Sequence, residues 1–231
     1  MLKSWQDLPE FMKIPEVRNY WEALNRKRAQ ILFKRALDYF LASILLLLLL
    51  LPMLLISIAI KISSPGPLLF RQERVTTYGK RFRIHKFRTM VINAEQIGSA
   101  VTSDNDTRIT KIGKILRDFR LDEIPQLFDI LSGNMSFVGT RPEAVSYVKL
   151  YKPEYFATLL LPAGITSEAS IAYKNEALLL TADGDIEDQY VNSVLPEKMR
   201  INLEALKNFS LADDISVMFK TVFAVLKRDS D

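Results

Sequence analysis

Asp122 and Glu123 stand side by side in LRDFRLDEIPQL (residues 116–127), with Arg117 and Arg120 just before them and Pro125 just after. Proline suits the first turn of a helix, so the spacing places Asp122 at an N-cap. There the positive helix end and the neighbouring guanidinium groups would lower a carboxyl pKa and draw phosphate towards the pair. A solvated helix start is the bland reading of the same residues, and only their surroundings can separate the two. Three further clusters supply surroundings: Lys34-Arg35-Ala36-Leu37-Asp38, the patch KRFRIHKFRTM (residues 80–90), and MSFVGTRPE (residues 135–143).

The charge around those clusters is uneven. Of 231 residues, 31 are Lys or Arg and 27 Asp or Glu, a net charge of +4, yet residues 71–90 hold seven cations against one glutamate. Such a patch attracts anions, and charge alone does not choose between nucleic acid, anionic lipid and phosphorylated small molecules. Cysteine is absent, which excludes a disulfide framework and a thiolate zinc site. The length suits one sizeable domain, or one domain with an appendage.

The elements that must position these residues begin with LASILLLLLLLPMLLISIAIK, residues 41–61. From Phe40 to Ile60 the block is long enough, at about 1.5 Å per residue, to span hydrocarbon. It starts about forty residues in, which does not fit a cleavable signal peptide. Both flanks are basic: Arg26, Lys27, Arg28, Lys34 and Arg35 before it, Lys61, Arg71 and Arg74 after. A straight span cannot put both on one side, whereas a hairpin can. Pro52 divides the block and removes a backbone donor, so the expectation is a Pro-kinked, re-entrant helix-break-helix over residues 31–62. A tilted full span and a buried core helix are the alternatives.

Around it, residues 1–30 read as an amphipathic leader with a rough stripe of Trp5, Leu8, Phe11, Met12, Tyr20, Trp21 and Leu24. SSPGP (63–67) stops the membrane helix, and alternating apolar and basic residues in FRQERV and KRFRIHKFRTM predict short strands. Residues 107–130 predict two helical pieces interrupted near Asp122. The last element, LADDISVMFKTVFAVLKR, sets Ile215, Met218, Phe219, Val222, Phe223 and Leu226 on one helical face. The expected fold is mainly α with a small β element, a membrane-associated monotopic domain with interfacial amphipathic helices, and residues 63–231 forming a cytoplasmic catalytic domain.

SPGPLLFRQERV, GKRFRIHKFRTM and NDTRITKIGKILRDFRLDEIPQLFDILSGNMSFVGTRPE together resemble the bacterial sugar transferase family of monotopic polyprenyl-phosphate phosphoglycosyl transferases, from about Lys34 to Lys227. The resemblance implies transfer of a sugar-1-phosphate from a UDP-sugar to a polyprenyl (undecaprenyl) phosphate, with release of UMP, dependence on Mg²⁺ and a place at the cytoplasmic face of the bacterial inner membrane. By the same resemblance Asp122 is the nucleophile and Glu123 the Mg²⁺ ligand. A carboxylate suits the first role because the acyl phosphate it forms stays reactive; an oxygen donor suits the second because Mg²⁺ is hard. Lys86, Arg117 and Arg141 fall on the family's phosphate-binding cations, assisted by Arg88 and Arg120. Lys34, Arg35 and Asp38 match its Lys-Arg-x-x-Asp signature at the membrane entrance, where an ion pair and a lipid-phosphate contact are both open.

The chain departs from the family's pattern in places. Thr140-Arg141-Pro142 replaces Pro-Arg-Pro, Pro162-Ala163-Gly164-Ile165-Thr166 lacks the usual basic residue, and Leu51 stands where a serine often precedes the kink proline. Lys174, Asn175 and Glu176 align with a sugar-pocket segment. His85, the only histidine, is expected to be a polar strand-edge residue without a catalytic role. UDP-sugar, polyprenyl phosphate and a lipid bilayer are the expected partners; a homodimer stays open and no nucleic acid is expected. A non-catalytic adaptor that holds anionic lipid on its basic patch is the rival reading, and a single-span anchor carrying a soluble domain is a third.

Overall fold

The structure is a computed structural model of the chain and describes residues 2–94, 106–174 and 186–227. The chain opens with a short 3-10 turn and α1 (Pro15–Asn25), followed by α2 (Arg28–Ser63). Strands β1 (Leu69–Val75) and β2 (Arg81–Phe87) come next, then α3 (Lys111–Asp118), a 3-10 turn (Leu121–Glu123) and α4 (Gln126–Leu131). The remainder comprises β3 (Met135–Val138), α5 (Val145–Val148), a 3-10 stretch (Pro153–Leu160), β4 (Ala163–Thr166) and α6 (Glu168–Ala172). Last come α7 (Ile186–Gln189), a π turn (Tyr190–Val194), α8 (Leu195–Lys207) and α9 (Leu211–Leu226). The mainly helical fold with little sheet agrees with the expectation.

Both small sheets follow from their sequences. β1 and β2 form an antiparallel hairpin in which Phe70 faces Lys86 and Arg71 faces His85. Along β2 the residues Phe82, Ile84 and Lys86 share one face, so the alternation that buries Phe82 and Ile84 also turns Lys86 inward. β3 and β4 are parallel, with Ser136 opposite Gly164. A Cβ on Gly164 would come within 2.2 Å of the backbone nitrogen of Gly139, so glycine at these two positions lets the chain after β3 lie directly against β4.

Apolar packing is divided among three clusters. The largest holds Met12, Val17 and Leu24 of the leader together with Leu160, Tyr190, Leu195 and Met199. Leu8, Met12, Val17 and Leu24 of the leader are therefore part of the folded core, packed with α8 and the 3-10 stretch, with Trp5 edge-on to Trp21 at 5.6 Å, while Phe11 stays exposed. The second cluster joins Ala42, Leu45, Leu46 and Leu49 of α2 to Phe82, Ile84, Leu127, Ile130 and Met135. The third joins Met53, Ile56 and Ile60 of α2 to Phe87, Ile112, Leu116 and Leu121.

Helix α2 is one helix of 36 residues, long and apolar enough to cross a membrane, and it carries Pro52 inside it. The helix runs through Pro52 without interruption, where the sequence predicts a helix-break-helix, and a proline inside a continuous helix can still bend its axis. A proline deletes one intrahelical donor, and the flanking turns keep the helix continuous around it. The serines do not fill that gap: Ser43 Oγ donates to the Tyr39 carbonyl and Ser57 Oγ to that of Met53, each back within its own turn. The residues of α2 that pack (42, 45, 46, 49, 53, 56, 60) recur at helical spacing on one face, while Leu47, Leu48, Leu50, Leu51, Leu54 and Leu55 on the rest of the helix are exposed. Ile124, next to Glu123, packs against both the second and the third cluster.

Candidate functional site

The carboxylate pair sits between two short helices because the chain cannot continue helical through it. Thr110 caps α3, its Oγ1 accepting the Gly113 N–H at 2.9 Å. α3 ends at Asp118, and Arg120 then adopts a left-handed backbone at φ 57°, uncommon for a residue with a Cβ. The turn that follows carries Asp122 and Glu123 into the interior, at 7% and 8% exposure. The N-cap of α4 is Pro125, so Asp122 lies about a turn before the cap, whereas the sequence predicts it at the cap.

The two carboxylates have different surroundings. Glu123 Oε1 accepts from Lys86 Nζ at 2.8 Å and from Arg141 Nη2 at 2.6 Å. Burial pushes the Glu123 pKa up, but Arg141 and Lys86 together outweigh it and hold the group well below the ordinary glutamate range. Asp122 accepts no hydrogen bond among the described residues. Burial raises its pKa, Glu123 adds to the rise, and Lys86, Arg117 and Arg120 oppose it. This reverses the lowered value expected from a helix N-cap: an interior 3-10 turn supplies desolvation where an exposed cap would have supplied a dipole.

The cations form the mouth. Lys86 and Arg141 keep 20% and 31% of their side chains exposed above the buried carboxylates. Burial lowers the Lys86 pKa, with Glu123 opposing; the Glu123 carboxylate raises that of Arg141. Arg117 Nε donates to Thr89 Oγ1 at 2.8 Å, and Asp122 is among the charges acting on it. Arg120 Nη2 donates to the Lys174 carbonyl at 3.3 Å, which brings the start of the expected sugar-pocket segment beside the pair. Asn175 and Glu176 lie outside the described residues. Arg141 is held in place by the glycine contact, since Gly164 N donates to the Thr140 carbonyl and Gly139 N to that of Thr166.

Other predicted site residues lie elsewhere. Arg88 turns to the end of α2, where its guanidinium donates to the Pro65 carbonyl at 2.6 Å and to Ser64 at 2.8 and 2.9 Å. Both carbonyls lie just beyond the last helical residue, Ser63, so Arg88 fastens the loop that leaves α2 to the end of β2. Lys34 is buried, donating to the Val138 carbonyl at 2.9 Å and pairing with Asp214 of α9 at 2.6 Å. Asp38, also buried, accepts from Ser136 Oγ at 2.7 Å and Phe137 N at 3.2 Å, and Arg35 reaches the Met135 carbonyl at 2.7 Å. The Lys-Arg-x-x-Asp cluster thus staples α2 to β3 and α9, which leaves Lys34 and Asp38 no surface to offer a lipid. Pro52 is inside α2, away from the carboxylates.

Four residues escaped the sequence reading. Thr89 orients Arg117, and Asp214 and Ser136 receive the staple. Asp129 accepts both the His85 backbone N–H and a contact to His85 Nδ1 at 2.8 Å, so the lone histidine latches β2 to α4. Only Asp129 carried a signal, being an aspartate on the inward side of an apolar α4.

For a divalent cation the pair offers hard oxygen donors: the Asp122 carboxylate and the second oxygen of Glu123. Among the described residues no group of three or more His, Cys, Asp or Glu could hold a metal, so water or substrate oxygens would complete the coordination of Mg²⁺. The residues fit such an ion on those terms.

A carboxylate pair under a basic mouth, beside a long apolar helix, is the combination that comparison with known proteins explains. Residues 29–228 match the model of the bacterial sugar transferase family, and the chain belongs to that family. It is 36% identical over 196 residues to the UDP-N-acetylgalactosamine-undecaprenyl-phosphate N-acetylgalactosaminephosphotransferase of Aeromonas hydrophila, covering 84% of this chain and 43% of that protein. It is 35% identical to the UDP-glucose:undecaprenyl-phosphate glucose-1-phosphate transferase of Escherichia coli K12, covering 83% and 40%, and 34% identical to the protein of that name from Caulobacter vibrioides, covering 86% and 72%. The chain spans well under half the length of the first two.

Proposed function

We propose that this protein transfers a sugar-1-phosphate from a UDP-sugar to undecaprenyl phosphate, releasing UMP and starting a glycan on its lipid carrier. The observation that carries this is the contrast within the pair: Glu123 is fixed by two cations, whereas Asp122 is buried, accepts no hydrogen bond among the described residues and lies under a basic mouth. Asp122 Oδ attacks the β-phosphorus of the donor, the bond from that phosphorus to the bridging oxygen breaks, and UMP leaves with the electron pair. An oxygen of the polyprenyl phosphate then attacks the phosphorus of the aspartyl ester, which forms the polyprenyl-diphosphate-sugar and returns the carboxylate. Lys86, Arg141 and Arg117 hold the phosphoryl oxygens and offset charge as the phosphorus becomes five-coordinate. Mg²⁺, held by Glu123 with the donor's diphosphate oxygens, would supply Lewis-acid neutralisation of the leaving group.

The re-entrant placement of α2, at the cytoplasmic face of the bacterial inner membrane, belongs to the same proposal. Its support is that residues 42–49 and residues 53–60 pack on one body of protein, with Ile124 against both clusters, while the exposed leucines lie between and around them. A straight span would need hydrocarbon between its two ends. Ile215, Phe219, Val222 and Phe223 of α9 are also exposed, which supports an interfacial position for that helix.

The test is UMP release from a panel of UDP-sugars with undecaprenyl phosphate, in wild type and Asp122→Asn. Release that persists in full in the variant overturns the aspartyl route. Lipid binding without UMP from any donor favours the adaptor.

A further inference from the structure

Residues 1–28 fall outside the family match, yet residues 2–28 are fitted to the fold. Met12, Val17 and Leu24 are completely buried, and a Cβ on Gly79, in the β1–β2 turn at φ +77°, would meet the Phe11 ring at 2.9 Å. Between the start of the leader, the first turns of α2 and that hairpin turn lies a cavity of about 460 Å³. It is separate from the carboxylate site: Lys80, on its rim, and Lys86 are six residues apart along β2, roughly 20 Å of extended chain.

The lining has two halves. Leu2, Ile31, Leu32 and Leu161 make apolar walls, and Lys3, Arg35 and Lys80 supply charge, with no carboxylate among the lining residues. The cations have mostly neutral partners. Lys80 Nζ donates to Asn134 Oδ1 at 2.8 Å, Lys3 Nζ lies 4.9 Å from the centre of the Tyr78 ring, and Arg35 reaches the Met135 carbonyl. Among the described residues the acid within 4 Å of these cations is Asp38, 3.8 Å from Arg35, and it already accepts from Ser136 and Phe137. Positive charge over apolar walls suits an anion with a hydrocarbon continuation and is poorly matched to free phosphate. Leu32, exposed on the lining, belongs to the first turns of the helix whose apolar length follows.

We infer that this cavity binds the phosphate headgroup and first methylenes of an anionic phospholipid, a second lipid contact built by the leader and distinct from the reaction site. The inference rests on the membrane placement of α2 proposed above. The chain's two tryptophans report on it, because Trp21 Nε1 donates to the carbonyl of Lys3 at 3.1 Å and Trp5 packs on Trp21.

The experiment adds the full chain to vesicles of phosphatidylcholine in which either phosphatidylglycerol or phosphatidylcholine carries bromine near the headgroup, and follows tryptophan quenching. Brominated phosphatidylglycerol should quench at a much lower mole fraction. Lys3→Gln/Lys80→Gln should raise the required fraction about thirtyfold, each cation near an anionic surface being worth about fivefold. Lys3→Arg/Lys80→Arg should keep it, and Lys149→Gln/Lys207→Gln, which removes the same charge from exposed positions outside the cavity, should leave it nearly unchanged. Thermal melts identify any variant that fails to fold. Equal quenching by the two headgroups, equal loss in the distant double variant, or protection by millimolar inorganic phosphate would overturn the assignment. Flotation separates the two readings: a chain that floats with vesicles but does not discriminate loses the cavity site alone, while one that floats with neither composition loses the membrane placement as well.

Discussion

Lys34, Arg35 and Asp38 on α2 have the same chemical types as Lys86, Arg141 and the Asp122-Glu123 pair, and in both places the acids are buried. In the first group Lys34 and Asp38 are closed. Lys34 and Asp38 meet backbone groups, Ser136 and Asp214, and their charge is used to fasten α2 to β3 and α9. In the second group Glu123 absorbs the cations on one oxygen, Asp122 accepts no hydrogen bond among the described residues, and Lys86 and Arg141 stay partly open to solvent. A charged cluster whose groups are all satisfied stabilises; one that leaves a buried carboxylate unmatched under exposed cations is prepared for a ligand.

The sharpest way to break that contrast is substitution of the unmatched group. Asp122→Asn should reduce UMP release a thousandfold or more, since a nucleophile has no partial substitute, with the melting temperature held or raised because burial of a charge is relieved. The same measurements on Lys34→Met should give the opposite pattern. Leaving Asp214 buried without its cation should cost about 3 kcal/mol of stability, while turnover per folded molecule stays near wild type. Arg141→Gln should fall between them, losing about a hundredfold in kcat/KM as one phosphate-holding cation disappears and Glu123 keeps Lys86.

A pH series sharpens the contrast further. Asp122 must be ionised to attack, and burial raises its pKa, so activity should fall on the acid side above the ordinary aspartate value of 3.8. Lys86, lowered by burial, should set an alkaline limb below 10.5. Glu123 has its pKa lowered on folding, so the stability it contributes is complete above the unfolded carboxyl range and is lost only as pH falls through its lowered folded value. Activity should therefore disappear at a higher pH than the fold, which rate profiles and melting curves over one pH range would check. The smallest effect is expected from Arg88→Lys. It should cost about 1 kcal/mol through a weaker hold on the loop after α2 and leave KM for the donor unchanged.

The sequence reading succeeded where a local pattern and a long-range contact agree. Alternation placed both hairpin strands, the breaker at residues 63–67 ended α2 correctly, and the carboxylate pair lies beside Lys86, Arg117 and Arg141 from segments 36 residues or fewer from Asp122. It failed where tertiary packing reassigned a side chain. Arg88 follows Lys86 by two residues in a basic patch, and nothing local distinguishes the one that reaches Glu123 from the one that ties down the loop after α2. The leader's stripe showed that one face would be covered, not that the cover would be α8 instead of lipid. Asp122 sits outside the turn that the sequence predicts because Pro125, which suits a place inside a helix's first turn, is itself the cap, and that shift reverses the expected direction of the Asp122 pKa. The parallel pairing of β3 with β4 rests on Gly139 and Gly164, each unremarkable until the other is beside it.

Ile124 has a geometric consequence. It is bonded to Glu123 and wedged against the clusters formed by both halves of α2, so on the re-entrant reading the height of the reactive carboxyls above the hydrocarbon is set by rigid packing and not by a tether. A lipid-borne phosphate is itself confined to a thin layer at that height. The acceptor then has only a plane to search, and shortening Ile124 to alanine would blur the level at which donor and acceptor meet.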